Sequence, residues 1–244
     1  MVKRTIAVQQ DRADQTRANI LRAGIREFSA HGLAGARTDA IAEAAGVNKA
    51  LLYYYFKSKS GLYEAAFEEI AAEVAQQTMA ALDPRHSPGE RLLRAALHHF
   101  DRILTKLEFQ SLLQQEMVRL RRGEIGNAPL LVKKIFKPLL VRFEETIREG
   151  IRSGELCEFD WLQVVYSMLG ANVFYFLSAP MMQFALPFNP LDASAIEARR
   201  KAALQLLGTA LFADRAHGAR LARRVLSETP MPQFRKDQLW RKGL

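Results

Sequence analysis

Residues 38–62 read TDAIAEAAGVNKALLYYYFKSKSGL, two short helical patterns on either side of a single glycine. Thr38 is a suitable N-cap for a first helix of about two turns. Gly46 can adopt the positive φ that a sharp change of direction requires, and Val47 would fill the corner after it. The first helix would then pack through a small, apolar inner face, which consists of Ile41, Ala42 and Ala45.

The second helical pattern contains an unusual run of aromatic residues. Asn48 can cap this helix, while Leu52 and Phe56 lie on one face that anchors it to the core. Three consecutive tyrosines, 53–55, cannot all point inward, because successive helical residues turn by about 100°. On a helix in the major groove of DNA, phenol hydroxyls reach phosphates and the rings contact thymine methyl groups. The small Ala50 would let the backbone approach the base edges.

A lysine stands at the start of the next helical pattern. Lys59 follows Ser58, the expected N-cap, and so lies at the positive end of a helix dipole, where a cation is unfavourable. A phosphate at this helix start would be bound by the lysine and by free backbone N–H groups. The alternative is that Lys59 is only solvated. Together with the turn, the pattern favours the phosphate.

The rest of the chain repeats the helical periodicity, and nothing in it has the alternation of a strand. The first helix begins near Asp11 and stops at Gly32. Pro138 is expected to kink or divide its helix, and Pro180 to end another. The sequence predicts an all-α fold of about nine helices, at residues 11–31, 38–45, 48–56, 58–82, 88–107, 109–122, 130–152, 161–178 and 192–214.

Charge is distributed unevenly along the 244 residues. The formal net charge is +9, of which residues 1–60 carry +5 and residues 215–244 carry +6, whereas residues 61–214 carry −2. Basic ends around a nearly neutral middle indicate a head that binds a polyanion. The alternative, which charge alone does not exclude, is that the basic ends only aid solubility.

Several classes of protein are disfavoured by the sequence. The longest apolar run, Val164–Leu177, is interrupted by polar residues, so we expect no membrane span. The single cysteine, Cys157, cannot form an internal disulfide, and with no signal peptide visible we expect a cytoplasmic protein. The adjacent His98 and His99 diverge on a helix and lack further ligands, so we expect no metal. No catalytic or cofactor-binding constellation is visible, and we predict that the protein is not an enzyme and has no cofactor.

The quoted stretch resembles the TetR family of bacterial transcriptional regulators. The resemblance extends back through Ile20-Leu21-x-Ala23-Gly24-x-x-x-Phe28-x-x-x-Gly32 and covers residues 15–65. It implies that Arg37 and Thr38 meet the DNA backbone. It also implies two further sets of residues. Those facing the groove would be Lys49, Ala50, Leu51 and Tyr53, and those binding phosphates would be Tyr54, Tyr55 and Lys59. With Asn48 included, the predicted DNA-binding residues are Arg37, Thr38, Asn48, Lys49, Ala50, Leu51, Tyr53, Tyr54, Tyr55 and Lys59.

Two positions depart from the family pattern. Asn48 and Leu51 stand where Ser and Thr are common in the family. Leu51 cannot donate a hydrogen bond, so it would offer at most an apolar contact, for example to a thymine methyl group. The operator sequence therefore does not follow from the resemblance.

The resemblance also implies a domain organisation. We predict a helix-turn-helix domain at 11–60, a ligand-binding and dimerisation domain at 61–215, and a basic extension at 216–244. Three roles are open for the extension: a solvated helix with a loose end, a contact with the second subunit, or a source of additional DNA affinity. In the family, the last two full helices of two subunits form a four-helix interface. Here these would be residues 161–178 and 192–214, the second with a strip of mostly small residues, Ala195, Ala198, Ala202, Leu206, Thr209 and Ala210.

A ligand cavity would lie in the larger domain, and its aromatic and methionine residues suggest a largely apolar effector. The alternative is that these residues are plain core. Asn172 is the exception, since an amide in an apolar helix needs a ligand, a backbone carbonyl or the second subunit as partner. The predicted pocket residues are Phe100, Leu113, Met117, Tyr166, Asn172 and Phe176.

Taken together, the sequence predicts a homodimeric repressor that grips a palindromic operator and is released by a small ligand. Dimerisation fits a short operator-reading helix, because one half-site supplies too little affinity. Two alternatives remain open, a ligand-independent DNA-binding protein and an all-α enzyme. The absence of a catalytic constellation argues against the enzyme.

Overall fold

The computed structural model describes residues 2–126 and 128–234, with side chains from Asp11 onward, and this part is all-α, as predicted. Ten helices lie within it when α7 and α8 are counted as one through a π-helical segment, Val132–Phe136, and the only β-pairing there is one bridge between Leu156 and Phe212. The helices are α1 Val2–Gly35, α2 Thr38–Ala45, α3 Lys49–Phe56, α4 Lys59–Ala81, α5 Pro88–Thr105, α6 Leu107–Arg121, α7 Ala128–Leu131, α8 Lys137–Arg152, α9 Trp161–Ala185, α10 Ala193–Ala210 and α11 Arg215–Glu228.

Two compact units divide these helices. The first unit runs to Val74 and also includes Glu108–Lys133, and the second contains Ala75–Leu107 and the chain from Lys134 onward. The first unit therefore contains α6 as well as the two short helices, a grouping that differs from the division by chain order predicted from the sequence.

The first unit is built around α1. Ile20 and Phe28 are fully buried, and the Phe28 ring meets Tyr63 of α4 edge to face at 5.2 Å. The predicted stop at Gly32 is confirmed, because its φ of 68° breaks the helix before a last turn to Gly35. Helix α6 is joined to α1 by hydrogen bonds, of which the shortest runs from Ser111 Oγ to the carbonyl oxygen of Ser29 at 2.6 Å.

The second unit surrounds α5, which packs against α8, α9, α10 and α11. Because α5 is buried on nearly all sides, its charged side chains need partners. Asp101 accepts two hydrogen bonds from Arg200 of α10, at 2.7 and 2.8 Å. Arg91 is 2% exposed and pairs with Glu149 of α8 at 2.6 Å. These pairs tie the central helix to its neighbours.

A further helix, α11, follows the one that the sequence predicts to be last. It was expected to begin a basic extension, but it buries Leu221, Ala222 and Val225 against the core of the second unit. The arginines of α11 obscure this apolar face in the sequence, because its apolar residues recur only every three or four positions. Of the basic tail, Arg235, Lys236, Arg241 and Lys242 lie outside the described residues.

Two glycines allow α10 and α11 to touch. A Cβ added to Gly218 would lie 2.0 Å from the carbonyl oxygen of Gly208, and one added to Gly208 would lie 2.6 Å from that of Gly218. The Phe212 ring, 1% exposed, fills the space between Gly218 and Gly89 of α5. The lack of side chains at these positions therefore sets the distance between three helices.

Two prolines, Pro138 and Pro180, test the helix ends predicted from the sequence. Pro138 was expected to kink or divide its helix. The chain instead stays helical through it, and a π-helical segment, Val132–Phe136, ends just before α8 begins at Lys137. Pro180 was expected to end α9, which is wrong, because the helix continues to Ala185. A proline removes only the hydrogen bond of its own missing N–H. Bonds beyond it still form, as from Leu186 N to the Met182 carbonyl at 2.8 Å.

Its extra length makes α9 the one helix in the described part of the chain that is long and apolar enough, by length and composition, to cross a membrane. Only 28% of the most apolar stretch of α9 is buried, so many of its apolar side chains lie on the surface. An exposed apolar helix face is also typical of a subunit interface. Length and composition alone are therefore weak evidence for a membrane span.

Candidate nucleic-acid interface and apolar groove

The turn between α2 and α3 has the geometry that the sequence predicts. Gly46 has a φ of 69°, and its N–H donates to the Glu43 carbonyl at 3.0 Å. Asn48 caps α3, because its Oδ1 accepts a hydrogen bond from Leu51 N at 2.8 Å. The N-cap predicted for α2 is wrong. Thr38 is not the N-cap of α2 but its first residue, since Arg37 occupies the cap position, where its N–H donates to Glu27 Oε1 at 2.9 Å.

Helix α3 has one buried face and one exposed face. Leu52 is fully buried and Phe56 is 7% exposed, as the sequence predicts. Because each residue turns by about 100°, the face opposite this pair belongs to Ala50 and Tyr54. Both are exposed, and Tyr54 is the most exposed of the three tyrosines at 69%. Leu51 and Tyr55 lie to one side, half-buried.

The other side of α3 is linked to the first turn of α2. Lys49 Nζ lies 2.9 Å from Asp39 Oδ1 and 3.0 Å from Oδ2, and both side chains are exposed. The hydrogen bond to Asp39 is the largest of the causes that raise the pKa of Lys49. Four residues along α3, the Tyr53 hydroxyl lies 3.4 Å from Thr38 Oγ1. These contacts fix two predicted DNA-binding side chains to α2.

Tyr54 is part of an aromatic and cationic group at the end of α3. Its ring meets Tyr55 edge to face at 5.4 Å. The Lys57 ammonium lies 5.4 Å from the centre of the Tyr54 ring and donates to the Tyr54 carbonyl at 2.9 Å. Lys57 adopts a φ of 64°, which ends α3 and turns its side chain back over the tyrosine. The group combines a phenol hydroxyl with an exposed cation, a suitable arrangement for phosphate.

Lys59 lies at the start of α4, as predicted. Ser58 Oγ accepts from Gly61 N at 2.9 Å and so caps this helix. Lys59 Nζ donates to the Ala34 carbonyl at 3.0 Å, which uses one of its three donors. A Cβ at Gly61 would lie 2.4 Å from the Phe56 carbonyl oxygen, so the tight connection between α3 and α4 requires glycine there. The phosphate contact of Lys59 stays a prediction.

Sequence reasoning missed two residues of this surface, Asp39 and Lys57. Asp39 is ten residues from Lys49, and helical spacing rules do not cover a pair joined across a turn. Lys57 carries a weak sequence signal, a cation three residues after an exposed tyrosine. Its positive φ could not be foreseen, because non-glycine residues rarely adopt one.

The predicted pocket residues are divided between the two units. Leu113, half-buried, and Met117, exposed, lie on α6 in the first unit, and the other four belong to the second unit. Phe100 is buried in a small core with Leu104 and Ile196, against which Phe176 packs. Tyr166 is 67% exposed.

Asn172 alone of the six lines a groove in the second unit. The groove lies between α9 and α10, has a volume of about 630 Å³ and is mainly apolar. Its lining residues are Phe159, Asp160, Gln163, Val164, Ser167, Met168, Ala171, Asn172, Arg199, Ala203, Leu206, Leu207, Ala210 and Leu211.

The Asn172 amide has partners within the protein. Its Nδ2 donates to the Ala96 carbonyl at 3.3 Å and lies 3.4 Å from His99 Nδ1. Of the three partners considered from the sequence, the backbone carbonyl is therefore present. A neutral His99 can accept the second contact, whereas a protonated one would face the amide with another donor.

Acid should destabilise the protein through His99. Burial, and to a smaller extent Arg102 and His98, lowers the pKa of His99 from 6.5 to about 3. Below pH 6.5 the unfolded chain binds a proton that the folded chain does not, so stability falls as the pH falls. We expect the free energy of unfolding to decrease by about 2 kcal/mol from about pH 7 to about pH 5 through this group. Urea denaturation of the His99→Leu variant at both pH values should show a loss smaller by that amount, and an equal loss would contradict the assignment.

The short capped helices, the glycine turn between them and the exposed face of α3 define a helix-turn-helix regulatory protein. Residues 20–66 match the family model of the bacterial regulatory proteins of the tetR family, and residues 88–207 match that of the tetracyclin repressor-like C-terminal domain. The chain belongs to the TetR family.

Curated relatives agree with this assignment. The chain is 32% identical over 116 residues to the HTH-type transcriptional repressor NicS of Pseudomonas putida, a match of 48% of this chain and 55% of that protein. It is 33% identical over 137 residues to the HTH-type transcriptional regulatory protein RaaS of Mycobacterium tuberculosis, with 56% and 58% covered. The matches thus span little more than half of these relatives, which are named as regulators and not as enzymes.

Solved structures share the fold over most of the chain. A gamma-butyrolactone receptor (ArpA-like protein) superposes with a TM-score of 0.60 at 20% identity, over 89% of this chain and 100% of that one. A transcriptional regulator from Saccharomonospora viridis in complex with choline superposes with a TM-score of 0.65 at 16% identity, over 82% and 98%. At these identities the likeness shows the fold alone.

Proposed function

We propose that this protein is a sequence-specific DNA-binding repressor that acts as a cytoplasmic homodimer and leaves its operator when a small ligand binds. The observation that carries the proposal is the exposed face of α3. It places Ala50 and Tyr54 outermost, with Lys49 and Tyr53 beside them, on a helix whose N-terminus is free to enter the major groove. Residues 11–60 serve as the DNA-binding domain.

The cations around α3 supply the phosphate contacts. Arg37 and Lys57 are exposed, and Lys59 is half-buried at the start of the next helix. Phosphate contacts fix the register of a helix on the duplex, and base contacts then select the sequence. Ala50 and Leu51 offer apolar contacts only, so hydrogen-bonded reading of bases falls to Lys49 and Tyr53.

The dimer forms through α9 and α10. Four exposed apolar residues of α9 follow the 3-4-3 spacing of a coiled-coil seam, namely Phe174, Leu177, Met181 and Phe184. The small-residue strip predicted on α10 is exposed from Ala198 onward, with Leu206 65% exposed. An apolar surface of this extent is typical of a protein interface. A two-fold axis there gives two copies of α3 and hence a palindromic operator.

The effector binds in the larger domain, residues 61–215. Support comes from the two solved relatives of the fold, one described as a gamma-butyrolactone receptor and one in complex with choline. Those ligands differ too much in chemistry to name the effector of this chain. We expect a largely apolar effector from the aromatic and methionine residues of this domain. The groove between α9 and α10 is not its site, because the lining residues Leu206 and Ala210 belong to the proposed dimer face.

A selection experiment tests the proposal. Purified protein is used to enrich duplexes from a random pool, and the affinity for the most enriched duplex is compared with that for its shuffled version. We expect at least about 1,000-fold preference for the enriched duplex at moderate salt, an inverted repeat in its sequence, and one dimer bound. Equal affinity for both duplexes would rule out a sequence-specific regulator.

A further inference from the structure

We infer that Asp39 is a specificity-determining residue, which neutralises and orients Lys49 so that this lysine reads a guanine edge and adds nothing to non-specific binding. The inference rests on the proposed function, since it concerns how α3 reads DNA. It goes beyond that function because it gives a role to Asp39, a negatively charged residue on a surface that binds a polyanion.

The geometry places the pair at the reading end of α3. Lys49 is the first residue of this helix, and the N-terminal residues of a recognition helix are those that contact base edges. Both carboxylate oxygens of Asp39 lie within 3.0 Å of Lys49 Nζ, so the ammonium is held by both oxygens of one carboxylate. The Thr38–Tyr53 contact at 3.4 Å restrains the next turn of α3 against the same turn of α2.

The pair has little value for stability. Its side chains are 48% and 62% exposed, and ion pairs in that position stabilise folded proteins only weakly. Near DNA, the same pair acts differently. A free lysine attracts phosphates of any sequence, whereas the Lys49–Asp39 pair has no net charge and so releases no counterion.

The ammonium still has a donor to spare. Lysine has three N–H donors, and the one not directed to the two Asp39 oxygens can be shared between the O6 and N7 acceptors of guanine in the major groove. Because Asp39 fixes the position of the ammonium, a guanine at one operator position, with its two adjacent acceptors, satisfies it better than adenine or thymine, which present one acceptor each. Asp39 thus converts a general cation into a selective donor.

Salt-dependent binding tests the inference. The probes are the duplex enriched by the wild-type protein and its shuffled version. Asp39→Asn should bind the shuffled duplex about 3- to 10-fold more tightly at low salt, with a salt slope steeper by about one unit, because Lys49 becomes a free cation. The enriched duplex should gain less, so that the specificity ratio falls. In the double variant Asp39→Asn/Lys49→Ala the added slope should disappear.

Glu43→Gln is the matched control, since it removes one acid from an exposed position of the same helix, and Lys49 pairs with Asp39 and not with Glu43. If Glu43→Gln gives the same increase in slope, general repulsion explains the effect and the inference is wrong. An unchanged slope in Asp39→Asn also overturns it, even where the wild-type protein prefers the enriched duplex. A wild-type protein with no such preference contradicts the proposed function instead. Helix-dipole stabilisation by Asp39 would alter the melting temperature and leave the slope unchanged.

Discussion

Gly218→Ala should lower the free energy of unfolding by about 3 kcal/mol. The added methyl group would lie 2.0 Å from the backbone oxygen of Gly208 and 2.6 Å from the nearest ring atom of Phe212. Neither obstacle can rotate away, because one is backbone and the other is a ring that Gly89 encloses on its far side. Helices α10 and α11 must therefore separate, and the apolar contacts of Leu221, Ala222 and Val225 are loosened with them.

Thermal and urea denaturation measure this loss. We expect the melting temperature to fall by about 6–12 °C for a chain of this size. Gly35→Ala is the control, because Gly35 also belongs to a helix, α1, and a Cβ there meets only His31 Cβ at 3.5 Å, an ordinary van der Waals distance. That substitution should be neutral or stabilise by up to about 1 kcal/mol through helix propensity. A Gly218→Ala protein as stable as the control would show that α11 does not pack closely on α10.

The short helices were predictable because each of their turns depends on a residue with one clear physical role. Gly46 supplies the positive φ, Asn48 the cap, and Leu52 with Phe56 the inner face, and all four behave as the sequence indicates. Thr38 shows the limit of such reasoning. A distant carboxylate, Glu27, binds the Arg37 N–H and shifts the start of α2 by one residue.

Contacts between residues far apart in the chain could not be predicted in the same way. The core role of α11 depends on Gly218 meeting Gly208, and composition alone does not show that two glycines face one another. The sequence could not single out pocket residues for a similar reason, since aromatic and methionine residues at helical spacing fit a core and a cavity equally well. Only Asn172 had a signal of its own, and its amide is satisfied by the Ala96 carbonyl.

Leu177→Glu should convert the protein to a monomer and weaken operator binding by at least about 100-fold. Leu177 is 59% exposed and lies in the middle of the seam formed by Phe174, Met181 and Phe184. In an isologous dimer, one substitution places two carboxylates at the interface, where each is desolvated without a partner. Loss of the dimer separates the two copies of α3. Each monomer then binds a single half-site through one short helix, with correspondingly low affinity.

Leu140→Glu separates this effect from a general effect of charge. Leu140 is 38% exposed on α8 of the same unit and undergoes the same change of side chain, but it lies outside the seam. Light scattering coupled to size exclusion gives the mass of each variant, and titration of the enriched duplex gives its affinity. The Leu140→Glu protein should remain a dimer with wild-type affinity. A dimeric Leu177→Glu protein would exclude this face of α9 as the interface and leave its exposed phenylalanines without the role proposed for them. Monomers that kept full operator affinity would contradict the two-fold reading of DNA, because the affinity would then come from one α3 helix alone.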